Sequence, residues 1–119
     1  MTQNNLAVAL GYQAMAVEGA ERARFLGEAV TATRAALEVY TREALPQNWA
    51  MTQYNLADAL RNQAEIETGS KRIQLLTMAL AAKKAALKII TTDFYPEYHA
   101  EGMAWIQAIE DEIAQLNAP

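Results

Sequence analysis

The chain has 119 residues, enough for a single domain with a modest core. Its net charge of −4 argues against a nucleic-acid surface, which needs clustered lysine and arginine, and its lack of cysteine excludes disulfides and thiolate metal sites. No apolar run approaches the ~20 residues of a membrane span and no signal-peptide pattern is apparent, so we expect a soluble, cytoplasmic protein without membrane or nucleic-acid partners.

A repeated unit organises the chain. The opening residues MTQNNLAVAL return at residues 51–60 as MTQYNLADAL. In an ungapped comparison of residues 1–50 with residues 51–100, roughly 40% of positions are identical, which indicates a duplication. The composition favours helix. We therefore predict an all-α fold in one domain over residues 1–119, made of repeat 1 (1–50), repeat 2 (51–100) and a C-terminal capping helix (100–117).

Each repeat is predicted to be a hairpin of two helices. Pro46 suits the first position of a helix, because its missing N–H is not needed there. Gly69 can adopt the left-handed conformation that ends this helix, and Ser70 can cap the next one. That second helix has one apolar face and stops before Pro96. Gly19 and Pro46 divide repeat 1 in the same way.

Alanines recur at one register in the second helix of both repeats. We interpret them as points of close helix packing, because alanine leaves little bulk between backbones; helix propensity alone is the alternative. They are Ala29, Ala32, Ala35, Ala36, Ala79, Ala82, Ala85 and Ala86.

An apolar stripe continues after residue 100, although the sequence similarity to the repeats weakens there. The other side of this helix is acidic, which is typical of a helix that caps a stack. The predicted stripe comprises Met103, Ile106, Ile109, Ile113 and Leu116.

These features resemble the tetratricopeptide repeat family, and look most like its long-helix bacterial and kinesin-light-chain-like members. The resemblance covers residues 1–100 and rests on four features of each repeat. They are Asn-Leu-Ala in the first helix (5–7, 55–57), an alanine opening the packing face of the second helix (Ala29, Ala79), Ala-Leu further on (36–37, 86–87) and the proline before the next repeat.

The chain departs from that family in two ways. Each repeat is about 16 residues longer than the usual ~34, and Thr33 and Lys83 replace a bulky aromatic residue. The resemblance implies an α-solenoid of stacked antiparallel helical hairpins. It further implies that the first helices line a concave groove, which binds an extended peptide or a helix of a partner protein.

Residues that differ between the repeats are interpreted as not required for packing one repeat on the next. In the first helices they lie on one helical face, which matches the groove-lining face of the family; a merely solvent-exposed face is the alternative. Asn5 and Asn55 are repeated, and the resemblance implies that they hydrogen-bond a bound peptide, whereas a bond within the stack would explain them equally. The predicted peptide-binding residues are Asn5, Tyr12, Tyr54, Asn55, Asp58, Arg61 and Asn62.

The second helix of repeat 2 has a basic side. An acidic partner would explain it, but a solvated charged face is the commoner explanation. The residues are Lys71, Arg72, Lys83, Lys84 and Lys88.

No catalytic constellation is apparent. His99 is the only histidine and aligns with Trp49, a packing position, and no glycine-rich phosphate loop is present. We expect no enzyme activity, cofactor or metal site. Asp111 and Glu112 are interpreted as solvating, and Trp49 and Trp105 as packing residues at the core or at repeat junctions.

The start of the chain bears on assembly. Met1 aligns with Met51, which lies inside its helix, so repeat 1 lacks an opening turn. Translation begins here or, as we favour, the chain is a segment of a longer array. Leu6, Leu10 and Tyr12 would then lack a preceding neighbour, which favours self-association. A partner-binding scaffold is the leading hypothesis, and a purely structural or self-associating segment without a separate ligand is the alternative.

Overall fold

The structure, a computed structural model, describes residues 6–10 and 19–118. Its regular elements are all α-helices, and no strand occurs among the described residues, which confirms the predicted all-α class. Helix α1 is described over residues 6–10. It is followed by α2 (Gly19–Val39), α3 (Pro46–Glu65), α4 (Gly69–Leu87) and α5 (Pro96–Asn117).

From α2 to α5, each helix packs on the next helix along the chain. Contacts join α2 to α3, α3 to α4, and α4 to α5. The main core cluster combines Leu56 and Leu60 of α3 with Ala29 and Val30 of α2 and with Ala79 of α4. Helix α3 is therefore covered by the apolar faces of both second helices.

Small residues permit this packing, as predicted. Most of the repeated alanines are buried, whereas Ala35 and Ala85 are half-buried. The buried members are Ala29, Ala32, Ala36, Ala79, Ala82 and Ala86.

The links between repeats have the same geometry. The backbone N–H of Leu45 donates to the carbonyl of Thr41 at 2.9 Å, and that of Tyr95 donates to the carbonyl of Thr91 at 2.8 Å. A proline then opens the next helix in both cases. Helix α5 therefore begins at Pro96, in register with α3, rather than at residue 100.

Glycines with positive φ open both second helices. The φ angles of Gly19 and Gly69 are +70° and +62°, values that glycine tolerates because it has no Cβ. The left-handed conformation of Gly69 is therefore confirmed, but its predicted role at the end of α3 and the predicted cap are wrong, because α3 already ends at Glu65 and Gly69 is the first residue of α4. Thr68 occupies the cap position of α4, and Ser70 lies inside its first turn.

The apolar stripe of α5 lies at a different angle from the one predicted. Ile106 and Ile109 are buried, but Met103 is 50% exposed and Leu116 is 40% exposed. Gly102 is buried instead of its neighbour Met103. The reason is geometric: the contact with α4 follows positions 102, 106, 109 and 113, and residue 103 lies about 100° away around the helix.

Gly102 marks a close approach between α4 and α5. A Cβ atom placed there would lie 2.8 Å from Cδ2 of Leu87. Thr52 occupies the corresponding position of α3, where it is buried and its hydroxyl donates to the carbonyl of Asn48 at 2.7 Å. Leu87 thus fills the space that a side chain on α5 would need.

Replacing Gly102 by alanine is expected to give a free energy of unfolding about 1–2 kcal/mol lower than that of Gly27→Ala, because both changes gain helix propensity but only the methyl group at residue 102 overpacks the side chain of Leu87. Gly27→Ala is the matched control: it also lies within a helix, but nothing lies within 4 Å of an added Cβ. The control should gain about 0.5–1 kcal/mol from helix propensity. Urea unfolding followed by circular dichroism measures both, and equal gains would show that the contact at Gly102 is not tight.

Candidate functional site

Among the described residues, Lys83 is the only charged residue that is buried, and 1% of its surface is exposed. It extends from α4 into the space between α3 and α5. Its Nζ atom lies 3.4 Å from the ring centre of Tyr54 and 4.5 Å from that of Trp105. It also donates a hydrogen bond of 2.9 Å to Oδ1 of Asp58. Two aromatic faces and one carboxylate therefore hold the ammonium group.

The electrostatics of Lys83 reflect opposing effects. Burial lowers its pKa, whereas Asp58 and then Glu101 favour the charged form. The contacts with aromatic rings and the charge-assisted hydrogen bond offset part of the desolvation cost. The pair is asymmetric, because the side chain of Asp58 remains 47% exposed while that of Lys83 is 1% exposed.

Tyr54 lies beside this ion pair and is 4% exposed. Its ring meets that of Tyr98 edge to face, with centroids 5.7 Å apart and an interplanar angle of 85°. Its hydroxyl is buried and has no partner within strict hydrogen-bond geometry among the described residues. Burial raises the pKa of Tyr54, and so does the neighbouring Glu101, through its negative charge and as an acceptor for the hydroxyl. We call this group the Lys83 cluster: Tyr54, Asp58, Lys83, Tyr98, Glu101 and Trp105.

The Lys83 cluster is specific to one repeat junction. Thr33 occupies the place of Lys83 in repeat 1; it is 0% exposed and donates its hydroxyl to the carbonyl of Ala29 at 2.7 Å. A small neutral residue is therefore sufficient at this position of the stack. The remaining counterparts also differ in the sequence, and they are Asn4, Val8, Asn48, Met51 and Asn55.

The predicted peptide-binding residues fall into three groups: some lie outside the described residues, one is buried and the others are partly accessible. Asn5 and Tyr12 lie outside the described residues. Tyr54 is buried, contrary to the expectation that it faces an open groove, because Lys83 and Tyr98 cover it. Its difference from residue 4 reflects the contacts of this cluster rather than freedom from the stack.

The other predicted residues remain partly accessible on α3. Asn55, Asp58, Arg61 and Asn62 are all half-buried. Arg61 forms an ion pair of 2.7 Å with Glu65 one turn later. We call residues 55, 58, 61 and 62 the polar row of α3; it lies beside the exposed edge of the Lys83 cluster at Asp58.

The basic side of α4 faces an acidic helix of the same chain. Helix α4 contains four basic and no acidic residues, and α5 contains five acidic residues and neither lysine nor arginine. Arg72 pairs with Glu112 at 3.3 Å, and Lys84 with Glu110 at 3.4 Å. The interpretations of Lys83 and Glu112 as solvated residues are therefore wrong. The opposite charges of α4 and α5 are visible in the sequence, but they were not used to predict that the two helices are in contact.

The tryptophans have the packing roles that were predicted. Trp49 packs against the cluster of Ala50, Tyr54 and Ile90, while Trp105 packs against two other core clusters, one that includes Leu60 and one that includes Leu76. His99 lies 3.3 Å from the hydroxyl of Thr92. Within the described ranges, no group of three or more metal-ligating side chains could hold a metal ion, and no helix is long and apolar enough to cross a membrane.

An open groove lies between α1 and α2, with a volume of about 640 Å³. Leu6 at its edge is 38% exposed, whereas its counterpart Leu56, covered by α2, is 6% exposed. The α1–α2 groove is lined by Leu6, Leu10, Ala23, Arg24, Gly27, Glu28, Thr31, Ala32 and Ala35.

Substitutions at the two ends of the Lys83–Asp58 pair are expected to have unequal effects. Asp58→Asn leaves a buried ammonium without a carboxylate, and should lower the free energy of unfolding by about 1–3 kcal/mol. Lys83→Met removes the buried charge and leaves a carboxylate that water can solvate, so its effect should stay within about 1 kcal/mol.

Urea unfolding measures both variants. Lys84→Met, in the exposed pair with Glu110, is the control and should change stability by less than about 0.5 kcal/mol. If Lys83→Met were as destabilising as Asp58→Asn, the lysine would be a requirement of the fold itself.

Comparison with known proteins does not place the chain in a family. Neither protein-family models, nor curated proteins, nor solved structures gave a match. The resemblance to tetratricopeptide repeats therefore rests on the motifs of the sequence and on its internal repetition.

Proposed function

We propose that this chain is a non-catalytic scaffold of tetratricopeptide-like type. In this proposal, two helical-repeat hairpins and the helix that follows them present a surface that binds a peptide or helix of a partner protein. The binding surface consists of the first helix of each repeat, centred on the polar row of α3. The observation that carries the proposal is the repetition of contacts from one repeat to the next.

These contacts start from the same arginine position in both repeats, although the acidic partners differ: Gln115 is the counterpart of Glu65, and Asn62 is the counterpart of Glu112. Arg22 of α2 pairs with Glu65 of α3 at 3.3 Å, and its counterpart Arg72 of α4 pairs with Glu112 of α5 at the same distance. The second helix of each repeat thus packs on the first helix of the next segment. Contacts limited to sequential neighbours are the defining feature of solenoids and support the proposed architecture.

The chemistry of the polar row suits peptide recognition. Asparagine amides offer both a donor and an acceptor, which can pair with the backbone of an extended peptide. Asn62, Asp58 and Arg61 add further polar groups within two turns of α3. All are half-buried, so a ligand can reach them while the surrounding structure limits their movement.

Selection from a displayed library of linear peptides tests this function. Peptides enriched on the protein should bind Arg61→Ala and Asn62→Ala about tenfold more weakly than the wild type, because each change removes side-chain hydrogen bonds at the proposed surface. Circular dichroism should show unchanged helicity, since both side chains are half-buried.

Arg34→Ala, an exposed arginine of α2, is the matched control and should leave binding unchanged. Failure to enrich any peptide, or equal binding to the wild type and to both α3 variants, would contradict the proposed surface.

A second candidate function is self-association through the α1–α2 groove. It is favoured by the greater exposure of Leu6 compared with Leu56, 38% against 6%. Ala23, Gly27 and Thr31 follow each other at intervals of four along α2, so small side chains line the groove and allow close approach of another helix. In this candidate role the chain joins a second copy, or a neighbouring repeat, without a separate ligand.

Thr31→Arg should abolish such association, because it places a bulky charge in the groove. Thr77→Arg is the matched control: Thr77 is the next exposed threonine in the same helical setting, and both hydroxyls donate to the carbonyl four residues earlier, at 3.0 and 2.8 Å. Sedimentation equilibrium should show wild type and Thr77→Arg associating and Thr31→Arg monomeric. A wild type that stays monomeric at high concentration would contradict this role.

A further inference from the structure

The exposed edge of the Lys83 cluster has the composition of a cation-binding site. Asp58 and Glu101 bring two carboxylates to a place where one ammonium is present. Oδ1 of Asp58 accepts from Lys83, while the side chain as a whole remains 47% exposed. Glu101 is exposed and forms no ion pair within residues 6–10 and 19–118. The cluster therefore has an excess negative charge at an accessible edge.

Aromatic surface accompanies these carboxylates. Tyr98 is 45% exposed and Trp105 is half-buried, so both residues are partly accessible. A guanidinium group stacks on such rings and forms hydrogen bonds to carboxylates in its own plane, whereas a lysine ammonium provides a compact charge without that planar fork. The combination of two carboxylates and aromatic rings therefore favours arginine.

The Tyr54 hydroxyl is an independent indication of a ligand. It belongs to a residue that is 4% exposed, it has no partner within strict hydrogen-bond geometry in the described part of the chain, and the neighbouring Glu101 carboxylate can only accept from it. A buried polar oxygen without a donor is uncommon and calls for an explanation. An N–H group entering between Asp58 and Glu101 would supply that donor.

The fold does not account for the cluster, because Thr33 and its neighbours form the equivalent junction without a charge. We propose that the Lys83 cluster binds an arginine side chain of the partner peptide, with Asp58 and Glu101 as carboxylate acceptors, Tyr54 as a hydroxyl acceptor and Trp105 and Tyr98 as stacking surfaces. This proposal rests on the proposed function and adds the chemistry of the residue that is recognised. Lys83 fixes Asp58 and leaves the site with a single negative charge to be neutralised.

Nuclear magnetic resonance with a blocked tripeptide, acetyl-Ala-Arg-Ala-amide, tests the site. The peptide should shift the indole N–H signal of Trp105 in a saturable manner and by more than that of Trp49, which packs beside Tyr54 but is not one of the proposed stacking surfaces. The same peptide with citrulline, which has the shape of arginine without its charge, should bind at least about tenfold more weakly.

Glu101→Gln is the discriminating variant, since it removes one carboxylate charge from an exposed side chain. It should weaken binding of the arginine peptide by about fivefold or more. Glu38→Gln makes the same chemical change on the exposed part of α2, away from the cluster, and should have no effect. Equal binding of the citrulline peptide, no shift of Trp105, or no effect of Glu101→Gln would overturn the inference.

The library selection separates this inference from the proposed function. Enriched peptides that depend on Arg61 and Asn62 but lack arginine, and bind Glu101→Gln as well as wild type, would leave the scaffold in place and remove the arginine site. Enriched peptides that contain arginine and lose affinity for Glu101→Gln would support both.

Discussion

Close packing of alanine-bearing faces against α3 is the constraint on which the structure depends. Ala29 and Val30 of α2 and Ala79 of α4 meet the same core of α3. Such contacts require small residues, because larger side chains would push the helix axes apart. Once both sides of α3 are covered, the polar row is among the parts of its surface that stay accessible. The buried faces thus determine which residues a partner could contact.

The junction of α4 with α5 meets the same constraint with a different chemistry. Here an alanine-rich helix that is also basic faces a helix that is acidic along much of its length. The exposed ion pairs contribute little individually to stability. Their combined sign pattern makes α5, which has five acidic residues and neither lysine nor arginine, electrostatically complementary to α4. Lys83 extends this complementarity into the interior.

Positions shared by the two repeats are packing positions, as predicted; Leu56 and Ala57 are buried. Positions that differ between the repeats are not all free of packing. Tyr54 and Asp58 differ from their counterparts together with Lys83 and Trp105, which lie on other helices and contact them or each other. Coupled changes at a buried junction therefore look, in sequence, like a variable exposed face.

By itself the sequence determined the all-α class, the start of α3 at Pro46, the left-handed glycines at residues 19 and 69, and the alanine register of the core. These features follow from local rules of backbone geometry and helical periodicity, which act within a few residues. The tertiary structure alone decided that Lys83 is buried, that Tyr54 is covered and that residue 102 faces Leu87. Those outcomes depend on the rotation and separation of helices that are far apart in the chain, and side-chain spacing along one helix does not specify either quantity.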